Sequence, residues 1–138
     1  MNKLIGLLLG ALLSCPVGAD ENDFRCLKSV GLKNPLRLQF TLASDHDDVG
    51  SVIYKNGSAR IPIKRIKETQ LRRGPKGRPS EIETRWAEMV PEGGGGTYLV
   101  VSQGAVLSAF RYVRQDGKQF IFEEEPEAAA QQGCQWPK

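Results

Sequence analysis

The chain has 138 residues, of which 40% are hydrophobic and 25% are charged, and its formal net charge is +3 at pH 7. For a chain of this length we expect one domain with a modest hydrophobic core. The small net charge hides a strong segregation of basic and acidic residues along the chain, which can steer a partner but does not determine the fold.

The first 19 residues have the order of features that is typical of a secretory signal. Lys3 precedes an apolar run over 4–13, and small residues up to Ala19 stand before an acidic one. The apolar run is too short to span a bilayer, which requires about 20 residues. We therefore predict cleavage after residues 1–19 and export of one domain, residues 20–138, to the periplasm or the medium.

A lipoprotein is the alternative, because residues 12–15 resemble a lipobox that ends in Cys15. Leu13 is bulky for its place in such a motif, and Pro16 directly follows the cysteine. No later segment is long or apolar enough to cross a membrane, so we expect no transmembrane segment.

Two cysteines, Cys26 and Cys134, remain after cleavage, near the two ends of the predicted domain. In an oxidising compartment two cysteines most simply form one disulfide bond. In the chain-entropy model, closing a loop of this length stabilises a protein by roughly 4–5 kcal/mol.

The mature chain begins with strand patterns. Residues 36–42 alternate apolar and polar side chains, which predicts a half-buried strand. A second strand over 51–55 runs directly into Asn56 and Gly57, which predicts a tight hairpin turn. The return strand is predicted over 58–66, and Pro62 places it at a sheet edge or at a bulge, because proline lacks the N–H that a ladder requires.

Residues 71–80 combine glycine and proline with four cations and predict an exposed loop. Two interpretations of 81–90 remain. Ser80 and Glu83 fit a helix capping box, whereas alternation around Trp86 fits a strand. A strand continues an antiparallel meander, and we favour it.

Three further strands follow a run of four glycines, and turn residues separate them. The strands cover 97–102, 105–114 and 118–124, with turns at 103–104 and 116–117. Residues 127–132 predict a short helical turn near Cys134. The fold class is therefore all-β and mainly antiparallel, a small barrel or sandwich of about six to eight strands with one disulfide.

The only histidine, His46, lies among the acidic residues 45–48. Its neighbours lack the ligand spacing of a calcium loop and the ligand set of a zinc site, so we expect a solvated turn, no metal and no cofactor. No serine lies in a nucleophile motif and both mature cysteines are expected to be oxidised, so we expect no enzymatic activity.

Residues 55–78 hold nine basic side chains and one acid. Four of the cations lie in the predicted loop and are candidates for binding a partner: Arg72, Arg73, Lys76 and Arg78. Stacking aromatic residues are not interleaved with them, and export places the protein away from nucleic acid, so no nucleic-acid partner is expected. An acidic protein, an anionic envelope polymer or lipid head groups fit the compartment.

A second candidate surface is the glycine run Gly93, Gly94, Gly95 and Gly96 with the neighbouring Tyr98. Flexible glycines bring backbone groups close to a partner without obstruction by side chains. The export signal, the early and late cysteines, the strand meander and this glycine tip resemble the periplasmic lysozyme inhibitors of the small β-barrel type.

That resemblance covers the C-terminal half and implies the architecture. The family's inhibitory loop has a serine before glycine and tyrosine, where this chain has Gly93 or Gly94, and the turn at Gln103 and Gly104 lacks the family's lysine. We expect an exported envelope protein that binds another macromolecule, as an inhibitor or immunity protein against a cell-wall hydrolase. The alternative is a structural or ligand-binding envelope module that uses its basic face for anionic polymer or lipid. The oligomeric state remains open.

Overall fold

The computed structural model describes residues 23–44, 46–57 and 59–138. The predicted signal segment 1–19, including Cys15 of the lipoprotein alternative, lies outside the described residues, and so do Asp45 and Ser58. No helix within the described ranges is long and apolar enough to cross a membrane.

Eight antiparallel strands follow one another along the chain and close into a barrel. Each strand pairs with the next, and the first pairs with the last from Leu27↔Glu124 to Ser29↔Phe122. The strands are β1 Asp23–Ser29, β2 Arg37–Leu42, β3 Val49–Tyr54, β4 Ile61–Arg72, β5 Glu81–Glu88, β6 Thr97–Gln103, β7 Val106–Val113 and β8 Gln119–Glu124. A 3-10 turn over Pro126–Ala128 and two short strands, β9 Ala129–Ala130 and β10 Gly133–Cys134, complete the chain.

The all-β prediction is confirmed, with a closed barrel in place of the sandwich alternative. Residues 81–90 form a strand over most of their length, because β5 pairs on both sides with β4 and β6. Strand β1 was not predicted from the sequence. Two adjacent residues of β1, Cys26 and Leu27, are both buried. This breaks the period-two alternation that marks a half-buried strand.

Two expectations about β4 are wrong. Pro62 lies at no sheet edge, since it pairs with Ser51 in an unbroken register inside the closed barrel. Its carbonyl accepts a hydrogen bond of 2.8 Å from the N–H of Met89, just beyond the end of β5. The nitrogen of Pro62, which carries no hydrogen, therefore lies opposite a position where the pairing of β4 with β5 has already ended. The strand also runs on to Arg72, so the exposed loop is shorter than predicted.

The hairpin between β3 and β4 is also longer than the predicted two-residue turn. The N–H of Gly57 donates to the carbonyl of Tyr54 at 2.9 Å, but β4 starts only at Ile61. The turn residues were identified correctly, whereas the connection spans 55–60.

The barrel interior is filled by apolar side chains, with aromatic rings at its centre. The Phe40 ring meets Trp86 edge to face at 5.7 Å between centroids and Phe110 at 5.3 Å. The core residues are Leu27, Leu38, Phe40, Val52, Ile63, Trp86, Tyr98, Val100, Phe110 and Phe122.

The predicted disulfide between Cys26 and Cys134 is confirmed, with the two Cα atoms 5.7 Å apart. It fixes the C-terminal segment to β1. The N–H of Cys134 also donates to Gln39 Oε1 at 2.8 Å, so the segment is held by β2 as well.

Because neighbouring strands run in opposite directions, successive connections alternate between the two ends of the barrel. We call one end the cavity end; it carries the connections 43–48, 73–80 and 104–105. The other, the glycine end, carries 30–36, 55–60, 89–96 and 114–118. The basic loop and the glycine run therefore lie at opposite ends and cannot form one continuous site.

Candidate binding site at the mouth of the barrel

A cavity of about 330 Å³ opens at the cavity end. The buried part of its lining is apolar and includes Phe40, Trp86 and Phe110, each no more than 4% exposed. The more exposed part of the lining is charged. It consists of Asp23, Arg25, Asp47, Arg65 and Glu68.

Small residues make up part of the cavity wall and leave space open between the larger side chains. Ala43, Thr84, Ser102, Gly104 and Ala105 all contribute to its wall. An eight-stranded barrel is just wide enough for side chains to fill it or for one small ligand to enter. Large aromatic side chains fill the middle of this barrel, and the small ones leave its mouth open.

Arg25 is held in place by several partners at the mouth. Its guanidinium donates to Glu124 Oε1 at 2.9 Å and to the carbonyl of Ala105 at 2.8 Å, and Asp23 lies at 3.8 Å. These bonds connect β1 to β8 and to the β6–β7 turn. Arg25 therefore mainly links β1 to its neighbours at the mouth of the barrel.

Arg65 is held much more loosely. Its guanidinium carbon lies 6.0 Å from the centre of the Trp86 ring, and its nearest carboxylate oxygen, on Glu68, is 3.7 Å away. Within the described part of the chain, no side-chain N–H group of Arg65 makes a hydrogen bond. The side chain is 29% exposed, so its donors remain accessible from the mouth.

The indole of Trp86 is held in place by a hydrogen bond and by ring packing. Its Nε1 donates to Thr84 Oγ1 at 2.9 Å, which satisfies the polar edge of the ring. Its ring contacts Phe40, so the orientation of Trp86 is set by packing as well as by the hydrogen bond. The sequence analysis placed Trp86 on a strand, but nothing in the pattern indicated a cavity beside it.

The basic loop borders the same mouth. Arg73, Lys76 and Arg78 are exposed, whereas Arg72 lies in β4 and pairs with Glu81 at 3.1 Å. The four candidate cations thus divide into one paired strand residue and three exposed loop residues. Only the latter three are positioned to meet a partner without first breaking an ion pair.

This loop has internal support. The N–H of Gly74 donates to Ser80 Oγ at 3.1 Å, and the carbonyl of Pro79 accepts from Gln103 Nε2 at 3.1 Å. The N–H of Arg78 closes a turn onto Pro75 at 2.9 Å. The loop is exposed as predicted, and these three hydrogen bonds support its backbone conformation, so binding would require little further ordering of the backbone.

The outer half of β4 is an exposed strand edge. The N–H of Arg65 makes the last bond towards β3, to the carbonyl of Asp48 at 2.8 Å. From Ile66 to Arg72 the strand pairs only with β5 among the described residues. Ile66 is 59% and Leu71 48% exposed on this segment, and each is followed by a basic residue, Lys67 and Arg72.

At the glycine end, only part of the predicted tip is accessible. Gly93 and Gly94 are exposed and have positive φ, but Gly96 is buried against the ring of Tyr112, where a Cβ atom would collide. Its N–H donates to Glu88 Oε2 at 3.0 Å. Gly95 is also packed, since a Cβ there would lie 2.7 Å from Cβ of Glu88.

Tyr98 at this end was predicted to contact a partner, and this expectation is corrected, because Tyr98 has no exposed surface and belongs to the core. Its hydroxyl donates to Glu88 Oε1 at 2.7 Å and lies 2.9 Å from the hydroxyl of Tyr54. Burial raises the pKa of Tyr54 to about 12. Burial likewise raises the pKa of Tyr98 and, with the nearby charge of Glu88, that of Tyr112. The sequence analysis identified neither Glu88 nor Tyr54 as part of this network.

The turn that contains His46 lies beside the mouth, and Asp47 reaches the cavity lining. No group of three or more histidine, cysteine or acidic side chains that could hold a metal ion occurs among the residues that the structure describes.

The fold and the site together define a closed antiparallel barrel with an aromatic cavity and a basic loop at one end. No family model, no curated protein and no solved structure matches this chain.

Proposed function

We propose that the mature domain is an exported, non-enzymatic binding protein whose cavity end engages an acidic protein through the basic loop and the outer edge of β4. Both mature cysteines are consumed in the disulfide between Cys26 and Cys134, so neither offers a thiolate for catalysis. Predicted cleavage after Ala19 and a disulfide suit a compartment outside the cytoplasm.

The exposed edge of β4 carries the proposal. The backbone N–H and C=O groups of Ile66 to Arg72 that face away from β5 have no partner strand among the described residues and can accept an added strand, which only a polypeptide provides. Exposed Ile66 and Leu71 add apolar contact area on the same segment. A polysaccharide or a lipid head group would use the cations and leave this edge unpaired.

The charge of the segment argues for an acidic partner. Lys67, Arg72 and Arg73 lie on or directly beyond the edge, so a second copy of this strand would bring like charges together. An acidic strand would instead be attracted, with most of the effect on the association rate.

A cell-wall hydrolase is the partner class that we favour. Enzymes that cleave glycosidic bonds commonly carry a pair of catalytic carboxylates in a cleft. Arg73, Lys76 and Arg78 on a supported loop could approach such a cleft, and the protein would then be its inhibitor. The sequence resemblance to periplasmic lysozyme inhibitors supports this choice, with the basic loop in place of the glycine tip as the inhibitory element.

Inhibition assays with purified cell-wall hydrolases test the proposal. We would compare the wild type with R73Q/K76Q/R78Q and with a control, K33Q/R111Q/K138Q, which removes equal charge from exposed positions outside the basic loop. Inhibition should weaken about tenfold or more only in the loop variant, and its salt dependence should flatten.

Amide hydrogen exchange separates a protein partner from a polymer. A bound protein strand should slow exchange at the amides of 66–72, whereas polyglutamate or anionic vesicles should leave these amides unchanged. If polyglutamate or vesicles bind and no hydrolase does, the protein is a polymer or lipid module and the proposal is wrong.

Export itself is tested by intact mass. Protein recovered from an extracytoplasmic fraction should begin at Asp20 and carry no lipid. A mass that corresponds to an acylated Cys15 would instead establish the lipoprotein.

A further inference from the structure

We propose that the barrel cavity binds a small amphipathic anion, with its apolar part against Phe40, Trp86 and Phe110 and its carboxylate or phosphate on Arg65. This small-molecule site adjoins the proposed protein-binding surface, but Arg65 and the aromatic lining lie outside residues 66–72 and outside the basic loop. It does not depend on that surface being functional.

The size and lining of the cavity fit the apolar part. Its volume of about 330 Å³ lies at the lower end of the range for small-molecule sites, about 300–1,000 Å³. Phe40, Trp86 and Phe110 are buried around it. A short alkyl chain or a single ring would therefore lose its water-exposed surface on entering, which is favourable.

Arg65 fits the anionic part because its guanidinium makes no hydrogen bond to any residue that the structure describes. A guanidinium carries five N–H donors in a planar fork that matches a carboxylate or a phosphate. The carboxylate of Glu68, at 3.7 Å and 49% exposed, is too distant for a hydrogen bond. A ligand oxyanion could occupy those donors without breaking any existing hydrogen bond.

The position of Arg65 places the charge beside the apolar floor. The guanidinium lies over the Trp86 ring, whose face lines the cavity. An anion bound to Arg65 would thus stand at the point where the apolar pocket meets water. Arg25 is less suited to this role, since Glu124 and the carbonyl of Ala105 already engage two of its five donors and the carboxylate of Asp23 lies 3.8 Å from it.

The carboxylates of the rim raise the opposite possibility of a cationic ligand. Asp47 is exposed, Asp23 is 66% and Glu68 49% exposed, whereas Arg65 is only 29% exposed and its guanidinium lies over the Trp86 ring. The cation is therefore the charge nearer to the buried aromatic lining, and interaction with a less hydrated charge is stronger. For this reason we assign an anionic head group.

A head-group series with one constant chain tests the assignment. Decanoate, decyl phosphate, decanol and decyltrimethylammonium would be titrated below their micellar concentrations into the mature domain. Calorimetry and tryptophan fluorescence would report binding. The variant W136F leaves Trp86 as the only tryptophan, so the signal comes from the cavity.

Decanoate and decyl phosphate should bind about tenfold or more tightly than decanol, because only their head groups accept charge-assisted hydrogen bonds from Arg65. Decyltrimethylammonium should bind no better than decanol. Acetate and inorganic phosphate, which lack the chain, should not bind. A preference between decanoate and decyl phosphate would separate a carboxylic acid from a phosphate ester as the natural ligand chemistry.

Two kinds of variant assign the site. R65Q should reduce decanoate affinity to that of decanol and leave decanol binding unchanged, while R111Q, on the exposed face of β7, should change neither. S102F should fill the mouth and abolish binding of every probe, and L107F repeats this test if S102F does not fold.

Three results would overturn the proposal: no probe binds the folded domain, the cationic probe binds as tightly as decanoate, or R65Q leaves the preference for decanoate intact.

Discussion

The hydroxyl of Tyr98 donates a hydrogen bond of 2.7 Å to Oε1 of Glu88 from a side chain with no exposed surface. Since a carboxylate can only accept, the single hydroxyl hydrogen of Tyr98 is used in this bond. The hydroxyl of Tyr54, 2.9 Å from that of Tyr98, must then be the donor to Tyr98. The hydrogen bonds are therefore donated in one direction, from Tyr54 to Tyr98 and from Tyr98 to Glu88. The other carboxylate oxygen of Glu88, Oε2, accepts a hydrogen bond of 3.0 Å from the N–H of Gly96.

This direction of hydrogen bonding predicts that the two Tyr→Phe substitutions, Y98F and Y54F, lower the unfolding free energy by different amounts. Y98F removes the charge-assisted bond to Glu88 and the acceptor of Tyr54, and should cost about 2–3 kcal/mol of unfolding free energy. Y54F removes one neutral bond and should cost about 1 kcal/mol. Denaturant unfolding of both variants measures the difference. Equal losses would contradict the assigned direction.

The raised tyrosine pKa values predict a loss of stability in alkali. In the folded state the pKa of Tyr54 is about 12, against 10.0 for an unperturbed tyrosine, so the unfolded chain releases its proton first. The stabilising contribution is complete below pH 10 and is lost as the pH rises towards 12. Above pH 10 each buried tyrosine should lower the unfolding free energy by about 1.4 kcal/mol per pH unit.

Spectroscopic titration checks this prediction directly. All three tyrosines of the chain have raised pKa values, so tyrosinate absorbance should stay low near pH 10 and rise only as the barrel unfolds. Y54F should show a shallower decline of stability above pH 10. Tyrosinate absorbance that develops at pH 10 in the folded protein would show that the hydroxyls are not protected.

Two ion pairs of equal length should differ in their contribution to stability. Nε of Arg37 lies 3.1 Å from Glu125, and these side chains are 20% and 8% exposed. Arg72 lies at the same distance from Glu81 but is 71% exposed. R37Q should cost about 2–3 kcal/mol, because it leaves a buried carboxylate without its charged partner.

R72Q is the matched control and should cost less than about 1 kcal/mol, because solvent screens an exposed pair. Both variants are compared by chemical denaturation at neutral pH. Similar losses would mean that burial does not determine the value of these pairs.

Reduction of the disulfide should lower the melting temperature markedly. The bridge between Cys26 and Cys134 joins positions 108 residues apart, and a loop of that length corresponds to roughly 4–5 kcal/mol in the chain-entropy model. The double variant C26A/C134A should show the same loss, measured calorimetrically without reductant. A change below about 1 kcal/mol would show that the barrel contacts alone constrain the C-terminal segment.

Local patterns predicted most of the strands. Alternation over 36–42 and the turn residues at 116–117 are local features, and local backbone preferences suffice to interpret them. Pro62 shows where such reasoning fails. Its missing donor is harmless because β5 ends opposite it, and the end of a neighbouring strand is not encoded next to the proline.

The sequence by itself determined the all-β class, the disulfide between Cys26 and Cys134, and the exposure of the basic loop. Charge, periodicity and turn chemistry act over a few residues and need no knowledge of the partner strands.

Only the tertiary structure decided which distant side chains meet. Closure of eight alternating strands put the basic loop and the glycine run at opposite ends, buried Tyr98 against Glu88, and opened the cavity beside Arg65 and Trp86. The register of each strand and the direction of each connection follow from the packing of the whole barrel, which no single segment of the chain contains.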